Sequence, residues 1–254
     1  MYFGKIKLKS DNTIEKSVKK YYTVYVKQIL KGEAFVIDVK TLKKDEAIKT
    51  YITEADKSLE VLGYTEHSFA HVGTVAERAS KLLSWLGYDE RTVELAAIAG
   101  YMHDIGNMVN RVDHSQSGAL IAFRILDKYG IDAKEISAIV TAIGNHDEGT
   151  GVPVSAIAAA LILADKSDVR RSRVRNNDIS TFDIHDRVNY SVVKSSLILS
   201  DDKKSVTLAL EIDTEISSIM DYFEIFLVRM KLCRQAANKL GVSFKLCIND
   251  QQFI

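Results

Sequence analysis

Histidines and carboxylates cluster in the middle of this chain, and these residue types bind metal ions. Five of the six histidines lie between positions 67 and 146. The most distinctive pair is His103-Asp104, which ends a run of small and apolar residues in AGYMHDIGNMVN (99–110). The other candidates are His67, His71, His114, His146 and Asp165. An imidazole or carboxylate on an apolar face costs free energy to bury unless a partner satisfies it.

Taken one at a time, each of these residues could be a core histidine or a solvated helix cap. That interpretation fails for the whole set, because the residues fall at the ends of consecutive helix-like segments. The pattern instead predicts helices that converge on one centre, where a metal ion satisfies the buried groups. With nitrogen and oxygen ligands and no sulfur, iron, manganese, cobalt and nickel are all compatible with the site.

The elements that must position these groups are helices, followed by a small mixed segment. Apolar residues recur at helical spacing, with caps or glycine stops, in the ranges 45–62, 72–86, 89–103, 113–130, 136–146 and 153–165. Pro153 is expected to open the last of these helices. If helix 72–86 already begins at His67, then His67 and His71 point the same way.

After about residue 190 the spacing of the apolar residues changes from helical to alternating. Two alternating segments flank the turn DDKK (201–204), a helix is predicted over 214–240, and a last strand follows over 244–248. The fold class is therefore mainly α, a helical core with a small α+β (β-β-α-β) C-terminal appendage. The expected organisation is an N-terminal segment 1–44, a core 45–190 and the appendage 191–254. Within the first segment, 21–26 and 33–39 read either as two strands or as part of a helix.

Composition limits the remaining possibilities. The 254 residues are 46% hydrophobic, and neither a membrane-spanning run nor a signal peptide is evident, so a cytoplasmic protein that does not bind membranes is expected. The two cysteines, Cys233 and Cys247, are expected to be free thiols. Lys+Arg and Asp+Glu balance at 34 each, so no overall basic field draws the chain to nucleic acid.

The order and context of these residues resemble the HD-domain superfamily of metal-dependent phosphohydrolases. His71 is followed by VGTVAERA, the doublet stands in YMHDIGN, and Asp165 stands in LADK. The resemblance covers roughly residues 64–175. It implies a helical metal-binding core and an enzyme that hydrolyses phosphate compounds.

The resemblance also implies a ligand set. His71, His103, Asp104 and Asp165 would hold a first ion, and Asp104 could bridge to a second ion held by His114 and His146, as in the dinuclear HD-GYP and diadenosine tetraphosphate hydrolase branches. Where the HD-GYP branch has Gly-Tyr-Pro, this chain has Gly151-Val152-Pro153. Neither cyclic-di-GMP specificity nor that branch's full ligand set follows, and a nucleotide or dinucleoside polyphosphate is the favoured small-molecule substrate.

In eukaryotic cyclic-nucleotide phosphodiesterases, which share this helical core, a histidine four residues before the first ligand protonates the leaving group. His67 stands at that position relative to His71. The alternative is that His67 caps the helix or packs against Tyr64, because spacing alone cannot show that an acid reaches the leaving oxygen.

A basic stretch follows the last aspartate. Of its cations, Lys166 and Arg170 are interpreted as phosphate contacts, with Arg111 as a further candidate, because guanidinium groups bind phosphate oxygens in pairs. The alternative is an exposed basic helix end. A second doublet, His185-Asp186, has no histidine after it and is interpreted as structural, or at most as lining the pocket where the appendage meets the core.

Two other functions remain open. One is a regulatory or scaffold HD module that binds nucleotide or metal without turnover, and the other is nucleic-acid binding through the arginines, which lacks stacking aromatics in a basic context. The sequence leaves open whether the appendage closes the site or mediates a homodimer.

Overall fold

The structure, a computed structural model, describes residues 36–254. The segment 21–26 and the start of 33–39 lie outside these residues. Residues 36–38 have no regular secondary structure, and a short helix begins at Val39. Residues Asp38–Ile254 form one compact unit.

The part of the chain before the sheet is helical, as predicted. Numbered within the described residues, α1 to α8 are Val39–Leu42, Glu46–Val61, Phe69–Leu86, Glu90–Met102, His114–Lys128, Ala133–Gly144, Ala156–Lys166 and Ile184–Ser191. Short 3-10 helices occupy Ile105–Met108, Arg171–Arg173 and Ile179–Thr181.

Local signals explain where the helices begin and end. In α2 the Asp45 carboxylate accepts from the N–H groups of Ala47 and Ile48, which satisfies two donors that a helix start leaves free. The helix α3 ends at Gly87, which has a φ of 89°, a left-handed conformation that glycine adopts readily. The aspartate at the start of α2 and the glycine at the end of α3 therefore cap these helices, as their residue types predict.

Helix α7 lies at the centre of the helical core. Its sequence AIAAALILADK is small or apolar almost throughout, and the residues from Ile157 to Ala164 are all buried. It packs against α3, α4, α6 and the later helix α9 (Ile219–Lys239), so its last turn, which carries Asp165, is fixed from several sides.

Two helix starts differ from the sequence predictions. The prediction that Pro153 opens α7 is wrong, because the helix begins at Ala156 and the Ser155 hydroxyl accepts from the Ala158 N–H. Helix α9 begins at Ile219 rather than near position 214, because Ser218 and Asp221 form a reciprocal capping box there.

The mixed segment confirms the predicted β-β-α-β order. The strands β1 to β4 are Val192–Leu199, Ser205–Ile212, Ser243–Ile248 and Gln251–Gln252. Strand β1 pairs antiparallel with β2, β2 pairs parallel with β3 across α9, and β3 pairs antiparallel with the short β4, which the sequence pattern did not reveal. The mainly α fold with a small α+β appendage is therefore confirmed, while the domain boundaries at 44/45 and 190/191 stay predictions.

No helix among residues 36–254 combines the length and the apolar character that crossing a bilayer requires. The expected cytoplasmic location stays a prediction.

Gly106 lets the segment after the His103-Asp104 doublet lie directly against the start of α5. A Cβ at this position would lie 1.9 Å from the carbonyl oxygen of His114 and 2.4 Å from the amide nitrogen of Gly118, and backbone atoms cannot easily move away.

We expect Gly106→Ala to lower the free energy of unfolding by about 3 kcal/mol, the upper range for inserting atoms into a packed interior. Urea unfolding measures this, with Gly73→Ala as control: a Cβ on Gly73, within α3, meets nothing within 4 Å, so alanine there should be neutral or stabilise by about 0.5–1 kcal/mol. Equal stabilities for the two variants would contradict the close approach.

Candidate metal centre

The ends of five helices bring the predicted ligands together. His71 lies in the first turn of α3, and His103 directly follows α4, with Asp104 after it. His114 is the first residue of α5, His146 follows the end of α6, and Asp165 lies in the last turn of α7. The four histidines are at most 2% exposed.

A hydrogen bond at Nδ1 orients the ring of each buried histidine. The acceptors are Asp168 Oδ2 for His71 (2.8 Å), the Gly100 carbonyl for His103 (2.9 Å), the Arg111 carbonyl for His114 (3.1 Å) and the Ile143 carbonyl for His146 (2.6 Å). Carbonyl and carboxylate oxygens only accept, so Nδ1 carries the proton and the lone pair of each neutral imidazole is on Nε2. A hydrogen-bonded Nδ1 that frees Nε2 in this way is typical of metal-binding histidines.

The first group of ligand atoms comprises Nε2 of His71, Nε2 of His103, Oδ2 of Asp104 and Oδ1 of Asp165. The two nitrogens are 3.3 Å apart. Asp104 Oδ2 lies 3.4 Å from His71 Nε2 and 3.1 Å from His103 Nε2, and Asp165 Oδ1 lies 3.4 and 3.7 Å from the same atoms. Atoms bound about 2.1 Å from a common ion are roughly 3.0–3.4 Å apart, so the spacing suits one cation.

A second group faces the other oxygen of Asp104. Nε2 of His114 and Nε2 of His146 are 3.2 Å apart, and Asp104 Oδ1 lies 3.6 and 3.9 Å from them. Arg111 Nη1 lies 3.3 Å from His114 Nε2, where a lone pair is available to it. The two oxygens of a single carboxylate therefore face two different histidine pairs.

The donor set fits divalent cations. Asp104 Oδ2 is buried and has no hydrogen-bond partner among the described residues. Imidazole lone pairs that face one another and a carboxylate oxygen are costly without a proton or a cation between them. Three triads of this cluster could each hold an ion: His67, His71 and Asp104; His71, His103 and Asp165; and His103, Asp104 and His146. These residues lack sulfur, so the ligand types do not decide between the first-row metals.

The electrostatics are those of a site built for positive charge. Burial lowers the pKa of His103, but Asp104 and Asp165 outweigh it and raise that pKa to about 10. Burial likewise opposes the charge of both aspartates. Even so, His103 beside Asp104 and Lys166 beside Asp165 hold the pKa of each carboxyl well below its usual value.

Asp168, which the sequence predictions missed, lies directly behind the first group. It is buried, its carboxylate accepts from His71, and it also accepts from Arg170 at 2.7 and 3.0 Å. Burial opposes its charge, but the hydrogen bond with His71 and the charge of Arg173 lower the pKa of Asp168 well below 3.8. The sequence signal that could have identified Asp168 is its position three residues after the predicted ligand Asp165.

A cavity of about 450 Å³ lies against the centre, and Asp104, Asp165 and His146 are part of its wall. Four cationic side chains line it: Arg111, Lys166, Arg173 and Arg229. Arg111 and Lys166 were predicted to lie there. Arg173 lies in the basic stretch after Asp165 but was not among the predicted phosphate contacts, and Arg229 was missed because it lies on α9, far along the chain.

Arg170, predicted to contact phosphate, is not among the residues that line the cavity. The chain leaves the helical conformation after Lys166, and the Arg170 guanidinium turns to Asp168 instead. It also approaches Glu66, at 3.9 Å. The structure therefore places Arg170 behind the ligands, where it supports Asp168.

Two of the cavity cations are neutralised by carboxylates. Lys166 Nζ lies 2.7 Å from Asp165 Oδ2 and 3.4 Å from Glu148 Oε1, and Arg229 Nε donates to the same Glu148 oxygen at 2.8 Å. Burial opposes the charge of Glu148, but Arg229 and Lys166 lower its pKa to about 2. Helix α9 is thereby tied to the metal centre.

His67 lies before α3 rather than on it, because Ser68 is the N-cap. Its ring is nevertheless 5.2 Å from the His71 ring, in an edge-on arrangement, and it lines the cavity. Its Nδ1 donates to the Thr65 carbonyl at 2.6 Å, which leaves Nε2 for a ligand. Burial, with the charge of Arg173, lowers the pKa of His67 well below 6.5, so the imidazole is neutral at pH 7.

The second doublet, His185-Asp186, lies on α8 and lines the same cavity. His185 is exposed, and neither residue belongs to the metal-ligand triads of the described chain. The doublet thus contributes to the cavity wall and not to the buried cluster.

Known proteins are similar to parts of this chain. Residues 66–188 match the model of the HD domain family. The chain is 26% identical over 198 residues to an uncharacterized protein of Methanocaldococcus jannaschii, an alignment covering 68% of this chain and 75% of that protein. It is also similar, at 26% identity and a TM-score of 0.40, to the crystal structure of a predicted HD superfamily hydrolase from an uncultured Thermotogales bacterium, covering 53% of this chain and 75% of the other.

The helical core is therefore similar to HD-domain hydrolases and carries a His/Asp cluster that could hold metal ions. The match over residues 66–188 supports membership of the HD-domain superfamily, whose members are generally phosphohydrolases.

Protons and divalent cations should compete for the first group of ligands. Because the pKa of His103 is raised to about 10, its imidazole is charged at neutral pH in the metal-free protein, and a bound cation must displace that proton. This charge stabilises the metal-free fold fully below about pH 6.5 and ceases to do so as the pH rises through about 10.

We expect the affinity for Mn²⁺ to rise by roughly tenfold per pH unit between about pH 7 and 9, the linkage for one released proton. Calorimetric titration in buffers with different ionisation enthalpies measures both the affinity and the protons released. An affinity that does not change over this range would contradict the competition.

Proposed function

We propose that this protein is a metal-dependent phosphohydrolase that cleaves a phosphoester or phosphoanhydride, with a nucleotide as substrate. The observation that carries the proposal is the position of Asp104. Its two oxygens face two separate histidine pairs, at the wall of a cavity that also holds four cationic side chains.

In this proposal, the cluster would hold two divalent cations. His71, His103, Asp104 and Asp165 would hold the first, and His114 and His146, together with Asp104, would hold the second. When bound, such ions polarise phosphoryl oxygens and lower the pKa of water, so that hydroxide is available near neutral pH. Iron, manganese, cobalt and nickel are all candidates. Asp104 is a catalytic residue in this scheme because it positions both sites relative to one another.

The cavity supports a small phosphate substrate. A volume of about 450 Å³ lies within the usual range for small-molecule sites. Lys166 and Arg111 are the proposed phosphate contacts from this wall. Arg170 keeps an indirect role in the proposal, because its guanidinium holds Asp168 and Asp168 orients His71.

A hydrolysis screen tests the proposal. Protein loaded with Mn²⁺ or Fe²⁺ should release phosphate from at least one member of a panel of nucleotides, dinucleoside polyphosphates and cyclic nucleotides. Asp104→Ala and His103→Ala should lose metal and activity together while the fold is largely kept, which circular dichroism and elemental analysis check.

Full turnover in either variant would exclude the proposed centre. Stable metal binding without turnover of any phosphate compound would instead favour a regulatory HD module.

His67 is the proposed general acid. Its ring lies in the cavity beside His71, and its Nε2 atom is free for a ligand. In the absence of ligand the imidazole is neutral, so the acid form requires the negative charge of a bound phosphate to raise its pKa.

We expect His67→Ala to lower kcat by about 100-fold, the lower range for loss of an acid–base group, with unchanged metal content. Ser68→Ala is the matched control. It removes the cap at the start of α3, a loss of about 1 kcal/mol in stability, without touching the cavity. An equal fall in kcat for both variants would show that helix position is responsible, and loss of metal in His67→Ala would make His67 a ligand.

A further inference from the structure

Arg173 has the features of a preorganised anion-binding residue. It is only 6% exposed, and it lies in the short 3-10 helix after the metal-binding end of α7. Its Nε donates to the Glu66 carbonyl at 2.8 Å and its Nη1 donates to the Asp168 carbonyl at 2.6 Å. The side chain lines the cavity, and Nη2 has no hydrogen-bond partner in residues 36–254.

The surroundings of Arg173 are rigid. The Glu66 N–H donates to the Arg173 carbonyl at 2.8 Å, so the two residues bond to each other in both directions. The guanidinium thus has one fixed orientation. A fixed group pays little conformational entropy when it binds a ligand.

The charge of Arg173 is poorly compensated. Its nearest carboxylate oxygen is Asp168 Oδ2, 3.8 Å away, and that carboxylate is already bonded to His71 and Arg170. By contrast, Lys166 and Arg229 each have a carboxylate oxygen within 2.8 Å. Arg173 is therefore better able than these two residues to take an anion from the cavity.

Arg111 is the second cation of this kind. No carboxylate oxygen among the described residues lies within 4.0 Å of it, and its Nη1 contacts are with Asn107 Oδ1 and His114 Nε2, both at 3.3 Å. A cation bound at His114 Nε2 would displace the latter contact. Arg111 lies over the Tyr64 ring, 5.4 Å from its centre, and Arg173 donates to the Glu66 carbonyl, so both cations lie beside the segment that carries His67, and all three side chains line the cavity.

We propose that Arg173 and Arg111 form a subsite for the terminal oxygens of a phosphate dianion, so that the protein selects phosphomonoesters or terminal phosphoanhydrides over phosphodiesters. This inference rests on the proposed function and names the substrate class of the same site. A monoester offers three terminal oxygens and two negative charges, whereas a diester offers two such oxygens and one charge.

The charge of the cavity wall agrees with a dianion. Five carboxylates line the cavity together with the four cations: Asp104, Glu148, Asp165, Asp183 and Asp186. Two divalent cations would therefore convert a small negative excess into a large positive one. A doubly charged phosphate gains more from that field than a singly charged one.

The test measures binding rather than turnover. Calorimetry on Mn²⁺-loaded protein compares inorganic phosphate, methyl phosphate and dimethyl phosphate. Wild-type protein should bind methyl phosphate at least 10-fold more tightly than dimethyl phosphate. Arg173→Met should weaken phosphate and methyl phosphate binding by about 10- to 100-fold, the range for a lost hydrogen bond to a charged group, and should leave the metal content unchanged.

One further variant is a control and another is a second test of the subsite. Arg171→Met changes the neighbouring arginine, whose Nε donates to the Tyr190 carbonyl and whose Nη2 lies 3.5 Å from Asp213 Oδ2; it does not line the cavity, so phosphate affinity should not change. Arg111→Met changes a less buried residue, so it keeps the subsite testable if Arg173→Met does not fold. It should weaken phosphate binding by several-fold.

Equal affinities for the two methyl esters in wild-type protein, or an unchanged preference in both Arg173→Met and Arg111→Met, would overturn the subsite. Selective, arginine-dependent binding without hydrolysis of any phosphate compound would keep the subsite and refute the hydrolase. Hydrolysis with unchanged KM and phosphate affinity in both variants would keep the hydrolase and refute the subsite.

Discussion

The structure depends on the need of one buried carboxylate for positive charge. Asp104 Oδ2 is buried without a hydrogen-bond partner, and four imidazole Nε2 atoms face the Asp104 carboxylate from two sides. Every one of those imidazoles has its Nδ1 proton committed elsewhere, so the neutral rings offer only lone pairs. Such an arrangement is stable only with cations or protons at its centre.

The fold satisfies this constraint by bringing helix ends together. Helix α7 is buried on almost all sides and holds Asp165 in its last turn, and Gly106 permits a close backbone approach between the doublet and α5. Farther out, Glu148 links Lys166 to Arg229 and so connects α9 with the centre. The C-terminal mixed segment therefore contributes side chains of α9 to the cavity wall.

Sequence periodicity and caps were sufficient for most helices and for the hairpin, because those signals are local. The candidate ligands could also be found from residue type, since a histidine or aspartate at the end of an apolar helix is costly without a partner. Asp168, Arg173 and Arg229 could not be assigned in the same way, because their roles depend on which distant groups they meet. Arg170 shows the limit most clearly: spacing predicts its direction only while the helix continues, and α7 ends at Lys166.

The most direct test of the metal centre is elemental analysis of protein purified without chelator or a nickel column, after incubation with Mn²⁺ or Fe²⁺ and removal of the excess. The shared position of Asp104 predicts about two ions per chain in the wild type and their loss in Asp104→Ala. A folded wild-type chain that retains no metal, or an Asp104→Ala variant that retains the full complement, would contradict the account.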